Sequence, residues 1–115
     1  IGMEPMTATQ WLSYAYDVHG EDLYSAIHNN EGYRGIQAPA QIDCRYITED
    51  VPASLVPLSA FGRLVEFPTP TIDTIIYLAS IMTGIDFFKE GRNFEKLHLN
   101  GKSVEEVRRI MEVGE

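Results

Sequence analysis

Cysteine occurs once in the 115 residues, at Cys44. A lone cysteine excludes an internal disulfide framework and fits a reducing, cytoplasmic setting. Apolar runs are short. The longest, Ile75 to Met82, is interrupted by Ser80 and falls well below the roughly 18 residues that a membrane-spanning helix needs. Cationic side chains are scarce: nine Lys and Arg stand against 17 Asp and Glu, a formal charge of −8. The chain therefore lacks the basic surface that would neutralise nucleic-acid phosphates or dock on anionic lipid, so neither nucleic acid nor a membrane is expected as a partner. No basic segment followed by an apolar one opens the chain, so no secretory signal is expected. The first residue is Ile1 rather than methionine, as expected if something was removed or if this is a piece of a longer protein.

Strand-like alternation is missing too, and Asn100-Gly101 lies between helical signals rather than between strands. What is present is helical periodicity in a chain that is 44% hydrophobic and 23% charged, enough for one modest core. Thr7 to Tyr16 places Trp11, Leu12 and Ala15 at helical spacing, with Thr7 or Thr9 as N-cap. Leu23, Ala26 and Ile27 repeat behind the acidic pair Glu21-Asp22, and Asn29 to Gly32 is a stop. Residues 32–39 (GYRGIQAP) read as an ordered loop, and Ala40 to Glu49 as a short helix. Pro52 and Pro57 cannot both occupy a regular helix interior. The simplest arrangement puts Pro57 in the first turn of a helix to about Val65, with Leu58, Phe61, Leu64 and Val65 facing inward.

Thr69 as N-cap and Pro70 at the first position open the strongest helix, apolar at Ile72, Ile75, Ile76, Ala79 and Met82 and, on its other side, at Leu78 and Ile81. A helix apolar nearly all round is expected at the centre of a core, and Gly84 supplies its end. Asp86 to Glu90 predicts one more turn, stopped by Gly91. Ser103 with Glu106 forms a capping box before a last amphipathic helix through Val104, Val107, Ile110 and Met111. The fold class is all-α.

Several chemistries are excluded. Gly101-Lys102-Ser103 resembles the end of a phosphate-binding loop, but Lys96 stands where that motif needs glycine and no strand precedes it. No G-x-G-x-x-G occurs, so no cofactor-binding residue is assigned. His19, His28 and His98 lack metal-ligand spacing and Cys44 lacks a second cysteine, so no metal site is expected. No nucleophile elbow is found.

The unusual stretch is Cys44-Arg45-Tyr46-Ile47-Thr48-Glu49-Asp50-Val51-Pro52. On a regular helix Arg45 and Asp50 would lie about 140° apart. They converge only if the backbone turns near Thr48, which the downstream proline encourages. The alternative is that Arg45 pairs with Glu49 one turn on while Asp50 caps the next turn. Arg92, directly after Gly91, is placed to fork onto a carboxylate of the protein or of a ligand.

Together these segments resemble the C-terminal helical domain of the octopine/nopaline (opine) dehydrogenase family. The matching words are GYRGIQAP at 32–39, RYITEDVPASLVP at 45–57, a TP-opened apolar helix at 69–83, GIDFFKEGR at 84–92 and EKLHLNG at 95–101. They follow the family's order over nearly the whole chain. His98 departs from the pattern, where related sequences carry glycine, and the departure bears on the turn before Leu99.

The resemblance implies a helical bundle-like domain similar to the C-terminal-domain-like fold of 6-phosphogluconate dehydrogenase. On this reading residues 1–115 form the substrate-binding helical domain of an NAD- or NADP-dependent oxidoreductase that reductively couples an amino acid to a 2-keto acid. The cofactor would sit in an N-terminal Rossmann domain absent from this chain, which alone is expected to be inactive. The family's cleft arginine and aspartate fall on Arg45 and Asp50, the former on substrate and the latter orienting a histidine that this chain does not contain. Arg92 carries over as a substrate or interdomain contact, and a homodimer is a candidate assembly. A reading of a different class, a stand-alone non-catalytic helical binding or dimerisation module, stays open at this point.

Overall fold

The computed structural model describes residues 4–114; of the expected domain span 1–115, residues 1–3 and 115 lie outside the described residues. The described residues contain helices and turns but no strand, as expected. Their contacts divide into two compact units, one ending at Ala38 and the other beginning at Pro39.

The first unit is built from local caps. Helix α1 (Ala8–Tyr16) starts where Thr7 and Gln10 bond reciprocally: the Gln10 amide donates to Thr7 Oγ1 at 3.2 Å and the Thr7 amide to Gln10 Oε1 at 2.8 Å. Helix α2 (Leu23–Asn29) repeats the device with Asp22 and Ser25, whose amide donates to the carboxylate at 2.8 Å. The Ser25 hydroxyl, and then its amide, hold the Asp22 carboxyl below its ordinary value. Leu12, Val18 and Ala26 are buried. A 3-10 turn (Glu31–Tyr33) opens the loop expected at 32–39. Trp11, Tyr16 and Tyr33 stack edge to face with centroids 5.6 and 5.7 Å apart. Burial, with the Tyr16 hydroxyl as neighbour, pushes the Tyr33 phenol up.

The second unit begins with α3 (Arg45–Thr48), followed by a widened, π-helical turn (Val51–Leu55) and α4 (Val56–Leu64). Pro57 lies in the first turn of α4, as expected, and Pro52 lies in the widened turn, so both follow one helical path without occupying a regular helix interior. The widened turn explains how. Its amide bond runs from Val56 to the Val51 carbonyl, five residues back, and the looser ring relieves the contact between a proline ring and the preceding turn. The widening also brings Val51 and Val56, five apart, to the same side, and both are buried.

Helix α5 (Pro70–Thr83) has Pro70 in its first turn and ends at Gly84, whose φ of 71° is the left-handed conformation glycine adopts without strain. Thr69 holds the cap position but makes no capping bond. One face of α5 packs Ile76 and Ala79 with Val51, Val56 and Phe87, flanked by Ile47, Leu55, Ile72 and Phe88. The remaining faces contradict the expectation of a central core helix: Leu78 is 54% and Ile81 62% exposed. Asp73 is the sole charge on this helix, so its outer face is an uncharged strip of Thr71, Thr74, Ile75, Leu78, Ile81 and Met82.

In α4 the inward face is Val56, Ser59 and Gly62, whereas Leu58 and Val65 are exposed. The reason is polar. The buried Ser59 hydroxyl donates to the Asp73 carboxylate, and that bond turns α4 by about one residue from the phase that hydrophobicity alone predicts.

Helix α6 (Phe87–Glu90), capped by Asp86, and α7 (Val104–Val113) complete the unit. In the expected capping box of α7 the Ser103 amide donates to Glu106 at 2.7 Å and the Glu106 amide to Ser103 Oγ at 3.2 Å. The Ser103 bonds hold the Glu106 carboxyl below its ordinary value of 4.5. A carboxyl depressed in the folded state contributes stability above its unfolded pKa and loses it as pH falls through the folded value. Acidification below the ordinary value should therefore fray α7 in wild type, and Glu106→Gln should flatten that part of a circular-dichroism titration. An unchanged titration would count against the box.

His98 sits at φ 57°, a conformation that glycine adopts without strain and that costs a side-chain-bearing residue about 1–2 kcal/mol. His98→Gly, after the entropy glycine loses on folding, is expected to stabilise by about 0.5–1 kcal/mol, read as a higher denaturant midpoint.

Candidate functional site

Two concavities on the second unit compete for attention. The larger, about 650 Å³, is walled mainly by Phe67, Pro68, Pro70 and Phe88, with Arg63, Glu66, Thr69 and Asp73 as polar members. Sequence reading missed this cluster because Asp73 is far along the chain from Ser59 and Arg63; the one local signal was that Ser59 and Arg63 are four apart. Arg63 and Asp73 are held together through Ser59. Arg63 donates to Ser59 Oγ at 2.5 Å, lies 3.8 Å from Asp73, and covers the Phe88 ring at 5.5 Å. The arrangement ties α4 to α5.

The smaller concavity, about 370 Å³, is lined by Arg45, Tyr46 and Asp50. It brings together the two residues that regular helical geometry would separate. The cause is local: α3 stops at Thr48, Glu49 is distorted to φ −112°, and the widened turn follows Asp50. The convergence near Thr48 required by the sequence is thus present.

Half of the competing arrangement is present too. Arg45 Nε donates to Glu49 Oε2 at 3.0 Å. The pair is exposed, with 84% of the arginine side chain open to solvent, and such pairs contribute only about 0–1 kcal/mol. A ligand carboxylate can displace or share it. The other half is corrected: Asp50 precedes the widened turn but makes no side-chain capping bond. Its carboxylate is exposed and open to an incoming partner.

Arg92 does not line this concavity, and its side chain is exposed. Its backbone, however, is fixed nearby, since the Arg92 amide donates to the Pro52 carbonyl at 2.8 Å. Pro52 is two residues from Asp50. Gly91 makes this approach possible: a Cβ there would lie 2.6 Å from the Phe87 carbonyl and 2.8 Å from Val56 Cγ2.

Cys44 holds the cap position of α3 and is half-buried. Among the described residues no three His, Cys, Asp or Glu side chains gather as a metal site. No described helix is long and apolar enough to cross a membrane. A dinucleotide does not fit this chain: the described residues contain no strand to lead into a glycine-rich turn and helix, the cradle that a pyrophosphate requires.

Chemically, an exposed guanidinium and an exposed carboxylate about one small concavity can clamp a carboxylate substrate and orient a proton-carrying group beside it. Comparison with known proteins points the same way. A family model described as "NAD/NADP octopine/nopaline dehydrogenase, alpha-helical domain" matches residues 1–83, which include Arg45 and Asp50 but not Arg92. An opine dehydrogenase of Arthrobacter sp. (strain 1C) is 42% identical over 103 residues, 90% of this chain and 29% of that protein. The protein ocs of Agrobacterium tumefaciens (strain Ach5) is 24% identical over 111 residues, 96% of this chain and 31% of that protein. A tauropine dehydrogenase of Arabella iricolor is 29% identical over 80 residues, 61% of this chain and 20% of that protein. The chain spans less than a third of the length of these relatives.

Proposed function

Since the chain belongs to the family of NAD/NADP octopine/nopaline dehydrogenase alpha-helical domains, we propose that it is the substrate-side domain of an enzyme that reductively couples an amino acid to a 2-keto acid. The observation that carries this reading is the convergence of Arg45 and Asp50 on one concavity. Arg45 holds the keto-acid carboxylate through paired N–H donors. Asp50 accepts from the ring N–H of a histidine supplied from outside this chain, which sets its tautomer and raises its basicity for proton transfer at the reacting carbon–heteroatom centre. Tyr46 forms the remaining wall. Arg92 contributes a substrate or interdomain contact. The hydride donor, NAD(P)H, is held outside these 115 residues, in an N-terminal Rossmann domain, so the isolated chain does not turn over.

The test is an assay of the whole protein for nicotinamide oxidation that requires both an amino acid and a 2-keto acid. Oxidation that needs neither, or no oxidation with any pair, sinks the reading. Pyruvate serves as a probe for the chain by itself. It should shift the Arg45 side-chain resonance in an NMR titration, and an unmoved Arg45 removes it from the carboxylate site.

The uncharged outer face of α5 supports an association surface as part of the same reading, with a homodimer as one form of it, because exposed apolar patches of this kind mark interfaces. Sedimentation should show concentration-dependent self-association that Ile81→Glu abolishes. A monomer at every concentration rules out the homodimer. The single, half-buried cysteine supports a cytoplasmic, reducing location.

A further inference from the structure

The Pro52 carbonyl is an unusual acceptor. In an α-helical turn its donor would be the Val56 amide, but that amide bonds to the Val51 carbonyl instead. In the widened turn the donor would be residue 57, and Pro57 has no N–H. The helix therefore leaves this carbonyl without a donor of its own, and a carbonyl left without a donor is costly where water is excluded. The Arg92 amide fills the vacancy at 2.8 Å. The approach is tight. A Cβ on Gly91 would lie 2.6 Å from the Phe87 carbonyl, 2.8 Å from Val56 Cγ2 and 3.0 Å from the Pro52 carbonyl itself, and Phe87 and Val56 are both buried.

These contacts do more than stabilise. The widened turn sets the phase between Asp50 and the core. If it closed to a regular α-turn, everything before it would rotate by one residue, about 100°, relative to everything after. We infer that the Gly91–Arg92 turn is a positioning element for Asp50: docked on the carbonyl that Pro57 leaves open, it holds the widened turn and thereby the direction of the Asp50 carboxylate, together with Arg45, relative to the core. The inference rests on the dehydrogenase reading above and adds Pro52, Pro57 and Gly91 to it as residues that act through Asp50 without touching substrate.

Gly91→Ala is the direct variant, but it is expected to damage the core as well. Pro57→Ala separates the two effects. It removes the ring that bars a regular turn, freeing the Val56 amide to take the Pro52 carbonyl in place of Arg92, while placing a better helix former in the first turn of α4, so the melting temperature should not fall. In the 115-residue chain, Pro57→Ala should speed hydrogen exchange of the Arg92 amide at least about tenfold, leave the Ile76 amide protected, and move the Asp50 carboxyl carbon resonance. In the whole protein it should lower kcat by about 10²-fold, the cost of a misplacement on the order of 1 Å, and raise the keto-acid KM as well, because Arg45 lies on the same side of the turn as Asp50. Unchanged Arg92 exchange, or an unmoved Asp50 resonance, overturns the inference whether or not the protein is a dehydrogenase. Faster exchange with wild-type kcat also overturns it and reduces the Arg92 bond to a structural tie. Absence of turnover in wild type defeats the dehydrogenase reading alone, since the exchange and carbon-shift results still decide whether the turn directs Asp50.

Discussion

Asp50→Asn is expected to cost the whole enzyme about 10²–10⁴-fold in turnover, the range attributed to a positioned acid–base group, while leaving the fold intact. The substitution keeps the shape of the side chain and removes its charge. Asp50 is exposed and makes no capping bond, so its contribution to stability should stay within about 0.5 kcal/mol. An asparagine can still accept from a histidine N–H, but it neither raises the basicity of the ring nor excludes the wrong tautomer. On the proposed reading the keto-acid KM should change little, because Arg45 is the carboxylate clamp. Steady-state kinetics beside a melting curve settle the matter: a preserved kcat removes Asp50 from the mechanism, and a lowered melting temperature assigns it a structural role instead.

Ile76→Ala should destabilise the second unit by about 2–5 kcal/mol, the usual cost of truncating a buried isoleucine. Ile76 is fully buried among Val51, Val56, Ala79 and Phe87, at the point where α5, the widened turn and α6 meet. A domain has only about 5–15 kcal/mol in total, so a melting-temperature loss of about 10 °C or more is expected. The control is on the same helix. Ile81→Ala removes the same atoms from a side chain that is 62% exposed and should cost about 0.5 kcal/mol or less. Equal losses at the two positions would mean that a partner covers the outer face of α5 in solution.

The ends of helices were the most legible features of the chain. Thr7, Ser103 and Gly84 act within a few residues, through bonds to the nearest amides or through a single backbone dihedral, so no long-range information is needed to read them. The same holds for His98, whose departure from the family pattern coincides with a left-handed backbone. The pair Arg45 and Asp50 was legible as a possibility, together with the backbone turn that would be required to join it.

Three things lay beyond the sequence. Hydrophobicity placed α5 at the centre of a core, yet its outer face meets nothing among the described residues of its unit, because periodicity counts apolar side chains and says nothing of what covers them. Ser59 faces inward in place of Leu58 because its partner Asp73 lies 14 residues away. Pro57 was legible as the first turn of α4, but the widened turn that carries Pro52 into it was not. The second unit keeps both on one path by widening the turn and borrowing the Arg92 amide from 40 positions later in the chain. By itself the sequence determined the all-α class, the capped helix ends at Thr7, Gly84 and Ser103, the family, and Arg45 and Asp50 as candidates. Tertiary structure alone decided the direction of the Asp50 carboxylate, because that direction depends on a carbonyl whose donor comes from a distant turn.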